Sequence, residues 1–331
     1  MIEARHLRVL RAVARTGSFS AAARELGCTQ PAISQQMKAL EKSVDTPLVV
    51  RSGRGMQLSE AGRVLLKHAT GILAGLSAAE EEIAAIAGLR AGRVRLVSFP
   101  TASSTLVPPA VARLRDSHPG VCVSLVEAEP PESLAMLRGG ECEIALAFRY
   151  PQSDGAAALP APAHGTPREA RAEANLEAQQ LSAGSDWSDL VVTPLLDDPL
   201  VGLLPAAHRL AGRGRPVELA ELAGEQWIAG CPQCRGHLVE LCAAAGFEPR
   251  IDFATDDYPA VVGLVAAGLG VAVLPRLALE SVRPDGVSTV PVRTAAGAPA
   301  VRQVVALTLP DLAEVPAVAL MLERLAGAAG R

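Results

Sequence analysis

From Leu65 onward, apolar residues fall at Leu65, Ala69, Ile72, Leu76, Ala79, Ile83 and Ile86, in alternating steps of four and three. Such a heptad seam is built for a helix lying along another helix. Ser59 is placed to cap this helix, which the pattern carries to about Arg90, a length of roughly 45 Å at 1.5 Å per residue. So thin an apolar stripe cannot hold a rod of that length folded alone. Its cover is either a partner helix from a second copy or the core of the same chain. In both cases the seam divides the 331 residues into a head, 1–58, and a long body, 91–331.

Charge follows the same division. The whole chain carries −4, which taken globally argues against a nucleic-acid binder. Residues 1–67 nevertheless hold eleven Lys or Arg against five acids, a net +6, and the remainder carries −10. A basic head on an acidic body is expected when only the head meets phosphate. Nine aromatics in the whole chain disfavour a single-strand binder, which needs stacking platforms. The start, Met1 to Arg15, lacks the apolar core of a signal peptide, and the longest apolar run, Val261 to Pro275, contains three glycines and is too short to span a bilayer. Six cysteines in a chain of this size do not make a disulfide framework. The expectation is a cytoplasmic, reduced protein without a membrane partner.

The head reads as helix, turn, helix. Leu7, Leu10 and Ala14 give a first helix stopped at Thr16-Gly17; Ser18 caps a short Ala-rich second one, Phe19 to Leu26; and Gly27-Cys28 makes the turn. The third begins at Thr29, a suitable N-cap, with Pro31 in the first turn where its missing N–H is harmless. At 100° per residue Ile33, Met37, Leu40 and Val44 share one side, whereas Pro31, Gln35, Lys38 and Lys42 lie opposite with Gln30 and Ser34 on the flanks. Gln pairs with adenine, Ser is an adaptable donor, a Pro ring can touch a thymine methyl, and Lys reaches guanine or phosphate. A β-rich run from Leu48 to Leu58, broken at Ser52-Gly53 and Gly55, reads as a wing whose Arg51 and Arg54 can reach phosphates or a minor groove. In a helix-turn-helix the second member of the motif enters the major groove of double-stranded DNA.

Gly17-Ser18-Phe19-Ser20-Ala21-Ala22, Thr29-Gln30-Pro31-Ala32-Ile33-Ser34, Leu40-Glu41, Pro47-Leu48, Arg51 and Leu58-Ser59-Glu60-Ala61-Gly62 occur in the order and spacing of LysR-type transcriptional regulators, which the head resembles. Two departures are Asp45, where the family typically has Gly, and Val49, where it typically has Phe. The resemblance implies a dimer through the long helix, commonly a dimer of dimers. It also implies a two-lobed effector-binding domain similar to periplasmic solute-binding proteins, supported by Glu143-Ile144-Ala145-Leu146-Ala147 and the run from Val265 to Pro275.

The body alternates strands with helices from Arg93, which implies a parallel sheet covered on both faces. Strands are expected at Val94–Ser98, Val121–Val126, Ile144–Phe148, Leu190–Val192, Leu200–Pro205, Trp227–Ala229, Arg250–Ala254, Val271–Pro275 and Val301–Leu309. Helices are expected at Leu106–Asp116, Ser133–Arg138, Val217–Leu222, Leu238–Ala245, Tyr258–Ala267 and Val315–Ala326. Residues 151–189, rich in Pro, Ala, Gly and charge, read as a mobile insertion. The fold class is therefore multidomain α/β: a winged helix-turn-helix over 1–58, a dimerising helix over 59–90, and two lobes. Lobe I takes about 93–150 plus 276–331 and lobe II about 190–275.

In open α/β sheets ligands bind beyond the carboxyl ends of strands. The first such end, Ser98-Phe99-Pro100-Thr101-Ala102-Ser103-Ser104-Thr105, has five hydroxyls where N-capping needs one. Ser98, Thr101 and Ser103, with Phe148, Thr255 and Asp256 at other strand ends, form the candidate effector site, suited to a small, anionic molecule. Cys231-Pro232-Gln233-Cys234 is either a pair of buried thiols or, with His237, a thiol or metal sensor. No nucleophile, base and acid are grouped for catalysis, and no cofactor beyond an effector is expected. The reading is a sequence-specific DNA-binding transcriptional regulator controlled by a small molecule, acting as a homodimer or homotetramer. The alternatives are a thiol or metal redox regulator using Cys231 and Cys234, and a non-DNA ligand-binding module whose head only dimerises.

Overall fold

A computed structural model describes residues 1–52, 55–86, 92–150, 187–282, 285–295 and 297–330. The head packs α1 (Ala4–Thr16), α2 (Phe19–Glu25) and α3 (Gln30–Val44) around Leu10, Val13, Ala22, Ile33, Met37 and Leu40. Gly17 stops α1 in the left-handed region at φ 63°, and the Ser18 hydroxyl accepts the Ala21 N–H at 3.4 Å to start α2. Thr29 holds the cap position of α3, but its side chain makes no capping bond. Pro31 removes one of the two N–H groups a cap can accept from, and the other, on Ala32, is left without the Thr29 hydroxyl.

Asp45 ends α3 with φ 49°, so it supplies the left-handed turn expected of Gly. Strands β1 (Val49–Ser52) and β2 (Gly55–Leu58) pair antiparallel as the expected wing. Val49 does anchor it, packing with Met56 and Leu58 against the head core. Glu41 ties the wing to α3 by accepting the Leu48 N–H at 2.8 Å and the Val49 N–H at 3.3 Å. Arg54 and the side chain of Arg51 lie outside the described residues.

Helix α4 (Glu60–Ile86) follows, its entry fixed by Ser59, which accepts from the Gly62 N–H at 3.0 Å and donates to the Pro47 carbonyl at 2.7 Å. The expected continuation over 87–90 lies outside the described residues. The chain's own core covers one side of the helix. Leu65, Ala69 and Leu73 pack on Leu7 of α1, and Ala74 enters the core of lobe I. Ile72, Leu76 and Ile83 stay 49%, 40% and 67% exposed, a stripe without a covering neighbour among the described residues.

In the body, β3 (Arg93–Ser98) pairs in parallel with β4 (Cys122–Glu127) and β5 (Ile144–Arg149), with α5 (Pro100–Thr105), α6 (Val107–Ser117) and α7 (Glu132–Arg138) as connections. The hydroxyl-rich segment is therefore mostly helix rather than loop. The expected insertion 151–189 lies, apart from its last three residues, outside the described residues.

The two strands expected at 190–192 and 200–205 are one, β6 (Val191–Pro205). Asp197-Asp198-Pro199 reads as a break, but the ladder to β12 (Val301–Thr308) continues through it with a register shift at Val304/Val305. Because β12 is antiparallel to both β5 and β6, the sheet is mixed rather than parallel throughout. Its order is β4-β3-β5-β12-β6-β11-β7, with β10 (Ala272–Pro275) also on β6. Strand β11 (Val287–Arg293) was not anticipated. It pairs with Val201–Pro205 of β6, so this stretch of the expected lobe I segment is bonded to lobe II. The expected helix at 217–222 is a short β7 (Val217–Glu218) and a 3₁₀ turn closed by a Glu218/Glu221 capping box.

Lobe II adds the parallel pair β8 (Gln226–Ala229) and β9 (Arg250–Ala254), with α8 (Pro232–Ala244) and α9 (Tyr258–Ala266). Helix α10 (Arg276–Ser281) returns against α5, and α11 (Pro310–Ala313) and α12 (Pro316–Ala329) cover lobe I and α4. Among the described residues, no helix is long and apolar enough to cross a membrane.

A Cβ on Gly62 would fall 2.1 Å from the Leu48 carbonyl oxygen, so α4 can approach the wing only with glycine there. Gly62→Ala should therefore cost about 1–3 kcal/mol of head stability, as for other overpacked sites. Thermal unfolding of the full chain, compared with Gly71→Ala where no atom lies within 4 Å, measures it.

Candidate DNA interface and sensor cleft

Helix α3 buries Ile33, Met37 and Leu40 and leaves Gln30, Pro31, Gln35 and Lys38 exposed, with Ser34 half-buried and Thr29 exposed before them. Burial of one side fixes the rotation of the helix, and so fixes which side chains project. The other end of the motif is held too: the Met56 N–H donates to the Gly17 carbonyl at 2.9 Å, tying wing to turn. Ser18 is half-buried and engaged as the cap of α2. Behind the head, Arg15 bridges Glu25 at 2.5 Å and Glu141 of lobe I at 3.3 Å. An open cleft of about 1460 Å³ lies beside this contact, with Arg11, Arg63 and Lys67 on one wall and Glu127, Glu132 and Glu141 on the other.

The chemistry between the lobes centres on Arg302, a residue that no motif around it singles out. Its guanidinium is fully buried, donating through Nε to Asp198 at 2.9 Å and through Nη2 to Thr101 Oγ1 at 2.8 Å. It lies over the rings of Phe148 at 4.6 Å and Phe99 at 5.1 Å. Its Nη1 has no partner among the described residues. Burial pushes the Asp198 pKa up against the pull of Arg302. Burial also works against the charge on Arg302, but Asp198, Tyr150, Tyr258 and Cys234 outweigh it and raise its pKa.

Of the expected effector residues, Thr101 and Phe148 meet at this guanidinium. Ser103 is on the same helix as Thr101, its buried hydroxyl unpartnered. Ser98 is buried and reaches only the Phe99 carbonyl, at 3.3 Å. Thr255 accepts the Asp257 N–H at 3.2 Å in the turn before α9. Asp256 is exposed there, and its charge is felt by Glu129 and Cys234.

Glu129, also unanticipated, follows β4. Burial, then the neighbouring Cys234, push its carboxyl up to about 8, and its Oε2 has no partner. The Cys231 and Cys234 sulfurs lie 2.8 Å apart at the start of α8. The His237 ring is stacked on Tyr150 at 3.7 Å, and no cluster fit to hold a metal ion occurs among the described residues. Tyr150, Cys234, His237 and Tyr258 enclose a space of about 10 Å³, room for about one water molecule.

The Glu129 shift predicts a pH effect. An ordinary Glu titrates near 4.5, so between 4.5 and about 8 the unfolded chain gives up a proton that the folded chain retains. Stability from this group is full below 4.5 and is lost as pH rises toward 8. Glu129→Gln should melt like the parent near pH 4 and on the order of several °C higher at pH 8. Equal melting temperatures at both pH values would contradict the assignment.

Residues 4–63 match the family described as bacterial regulatory helix-turn-helix protein, lysR family, and residues 87–161 and 178–330 match the LysR substrate binding domain. LrrA of Synechococcus elongatus, named as an HTH-type transcriptional regulator, is 30% identical over 281 residues, 84% of this chain and 83% of LrrA. The HTH-type transcriptional activator CmpR of Synechocystis is 42% identical over 117 residues, 35% of this chain and 38% of CmpR. Full-length OxyR of Pseudomonas aeruginosa superposes with a TM-score of 0.67 at 18% identity, covering 98% of this chain and 95% of OxyR. Full-length CbnR, solved with its target DNA, superposes with a TM-score of 0.51 at 22% identity over 99% of this chain and all of CbnR.

Proposed function

The chain belongs to the LysR family of DNA-binding transcriptional regulators, and we propose that the exposed face of its α3 reads the operator while the cleft around Arg302 receives the signal. The observation that carries the DNA assignment is the rotation of α3: Ile33, Met37 and Leu40 are buried, so Gln30, Pro31, Gln35 and Lys38 project from the head. Thr29 and Ser34 flank this face, and Ser18 at the start of α2 adds a contact to the phosphate backbone. Arg51 and Arg54 of the wing extend the interface to neighbouring phosphates or the minor groove.

CbnR was solved as a complex with its target DNA, and this chain is expected to meet double-stranded DNA in the same role, in the cytoplasm. Ile72, Leu76 and Ile83 are the seam through which two copies pair, and two such dimers form the tetramer. Thr101, Ser103 and Phe148 from lobe I, with Thr255 and Asp256 from lobe II and Ser98 supporting them from behind, form the effector site. A ligand that binds the closed cleft better than the open one shifts the lobes, and with them the spacing of the heads.

Gel shifts at two salt concentrations test the DNA assignment: affinity should fall steeply with salt and favour a partial palindrome. Gln35→Ala should cost about 1–3 kcal/mol on the operator and relax base preference, whereas Lys38→Ala should weaken all sequences alike. Equal losses on operator and random DNA for Gln35→Ala would remove its base-reading role. For the seam, Leu76→Asp combined with Ile83→Asp should convert the assembly to smaller species in sedimentation velocity, with the melting temperature of the head unchanged.

A further inference from the structure

Cys231 is the N-cap of α8 and Cys234 lies in its first turn, with the Cys234 N–H donating to the Cys231 sulfur at 3.4 Å. Although α8 belongs to lobe II, Cys231 is buried in the core of lobe I, and Gln233 Nε2 donates to the Phe148 carbonyl at 3.3 Å. The pair therefore sits on the junction between lobes. Its two sulfurs have different surroundings. Cys231 donates its thiol proton to Cys234, and the Tyr150 hydroxyl bonds the same sulfur. Arg302, with Nη1 unpartnered, adds positive charge nearby.

These contacts outweigh burial and lower Cys234 to about 7, while the bond to Cys234 and burial raise Cys231. One thiolate in contact with one thiol is the arrangement a reactive dithiol needs. Cys142 and Cys242 differ: burial holds each up at about 12. The space beside Cys234 has room for about one water molecule, and the Glu129 carboxyl, which stays protonated near neutral pH, is the nearby acid.

We propose that Cys231 and Cys234 form a two-electron redox switch at the lobe junction, oxidised by small hydroperoxides that enter the space beside Cys234. The inference rests on the sensor role given to this cleft and names the chemistry of its signal. The Cys234 thiolate attacks one peroxide oxygen and forms an S–O bond. The O–O bond breaks, and the leaving alkoxide, or hydroxide from hydrogen peroxide, takes the Glu129 proton. Sulfur is oxidised to a sulfenic acid, and the peroxide is reduced to an alcohol or water. The Cys231 sulfur then attacks the Cys234 sulfur. An S–S bond forms, and the sulfenic hydroxyl leaves as water with the Cys231 proton. The sum is two thiols and one hydroperoxide giving one disulfide, one alcohol or water, and one further water. Glu129 regains its proton from solvent.

The groups facing Cys234 are Cys231 on its own helix, Tyr150 after β5, Arg302 on β12, Glu129 after β4, and Asp256 and Tyr258 around the start of α9. Hydrogen peroxide added to the reduced full-length protein is the probe. Thiols counted after denaturation should fall from six toward four, and the tryptic peptide holding both cysteines should lose two hydrogens. The rate should rise about tenfold per pH unit below 7, as thiolate forms, and fall again above about 8, as Glu129 loses the proton it donates. Tyr150→Phe should move that midpoint upward. Cys231→Ser should accumulate a dimedone-reactive sulfenic acid at Cys234, and Cys234→Ser should leave Cys231 reduced. Oxidation should change the footprint on operator DNA, and dithiothreitol should restore it.

A pair that stays reduced while Cys28 or Cys122 reacts overturns the proposal, as does oxidation at a free-cysteine rate or without effect on the footprint. If reduced protein binds the operator and the pair is inert, only this inference fails. Reduced protein that does not bind operator DNA defeats the DNA assignment of α3 instead.

Discussion

A guanidinium with no exposed surface needs a counterion, and Asp198 supplies it to Arg302. The pair joins β12 to β6, Thr101 brings in α5, and the second Asp198 oxygen accepts the Leu277 N–H of α10 at 3.1 Å. Four elements from separate parts of the chain are thereby fixed around one charge. Removing either ion alone would leave the other buried and unpaired, a cost of about 3–5 kcal/mol. Phe99 and Phe148 keep water away and offer their ring faces in its place.

Almost all of the head was legible in the sequence, because its signals are local. Caps, glycine stops and the periodicity of α3 act within a few residues, and the charge excess is confined to the same segment. Thr29 takes the cap position read for it but not the capping bond. The body was less legible where partners come from far away. Asp197-Asp198-Pro199 looks like a strand break, because a buried aspartate in mid-strand makes sense only once Arg302, 104 residues later, is beside it. Arg302 itself lies beside Gln303 at the polar start of a strand that turns continuously apolar, which reads as an exposed end, and nothing around Glu129 announces that its carboxyl will be enclosed. Thr101 and Phe148 were singled out because strand ends are general ligand positions, and both lie against Arg302. The C-x-x-C was visible as a motif, but the groups that make its two thiols unequal were not. The alternating valines of β11, Val290 and Val292 buried between exposed neighbours, were a readable signal that was missed.

The two covers considered for the seam of α4 are compatible because a helix has more than one side. Leu65, Ala69 and Leu73 face α1, so the head is docked on the helix by its own chain. Ile72, Leu76 and Ile83 face away and are left for a neighbour. The linker helix thus touches both the head and the body on one element, through Leu73 toward α1 and Ala74 toward lobe I.

The Arg15–Glu141 contact gives salt two roles. Added ions screen the head's attraction to phosphate, and they also screen the exposed pair that fastens the head to lobe I. Where DNA binding requires the head to turn on lobe I, the second effect partly offsets the first. The salt slope of the intact chain is then shallower than its phosphate contacts alone would give, and the difference between intact chain and isolated head counts the internal ion pair.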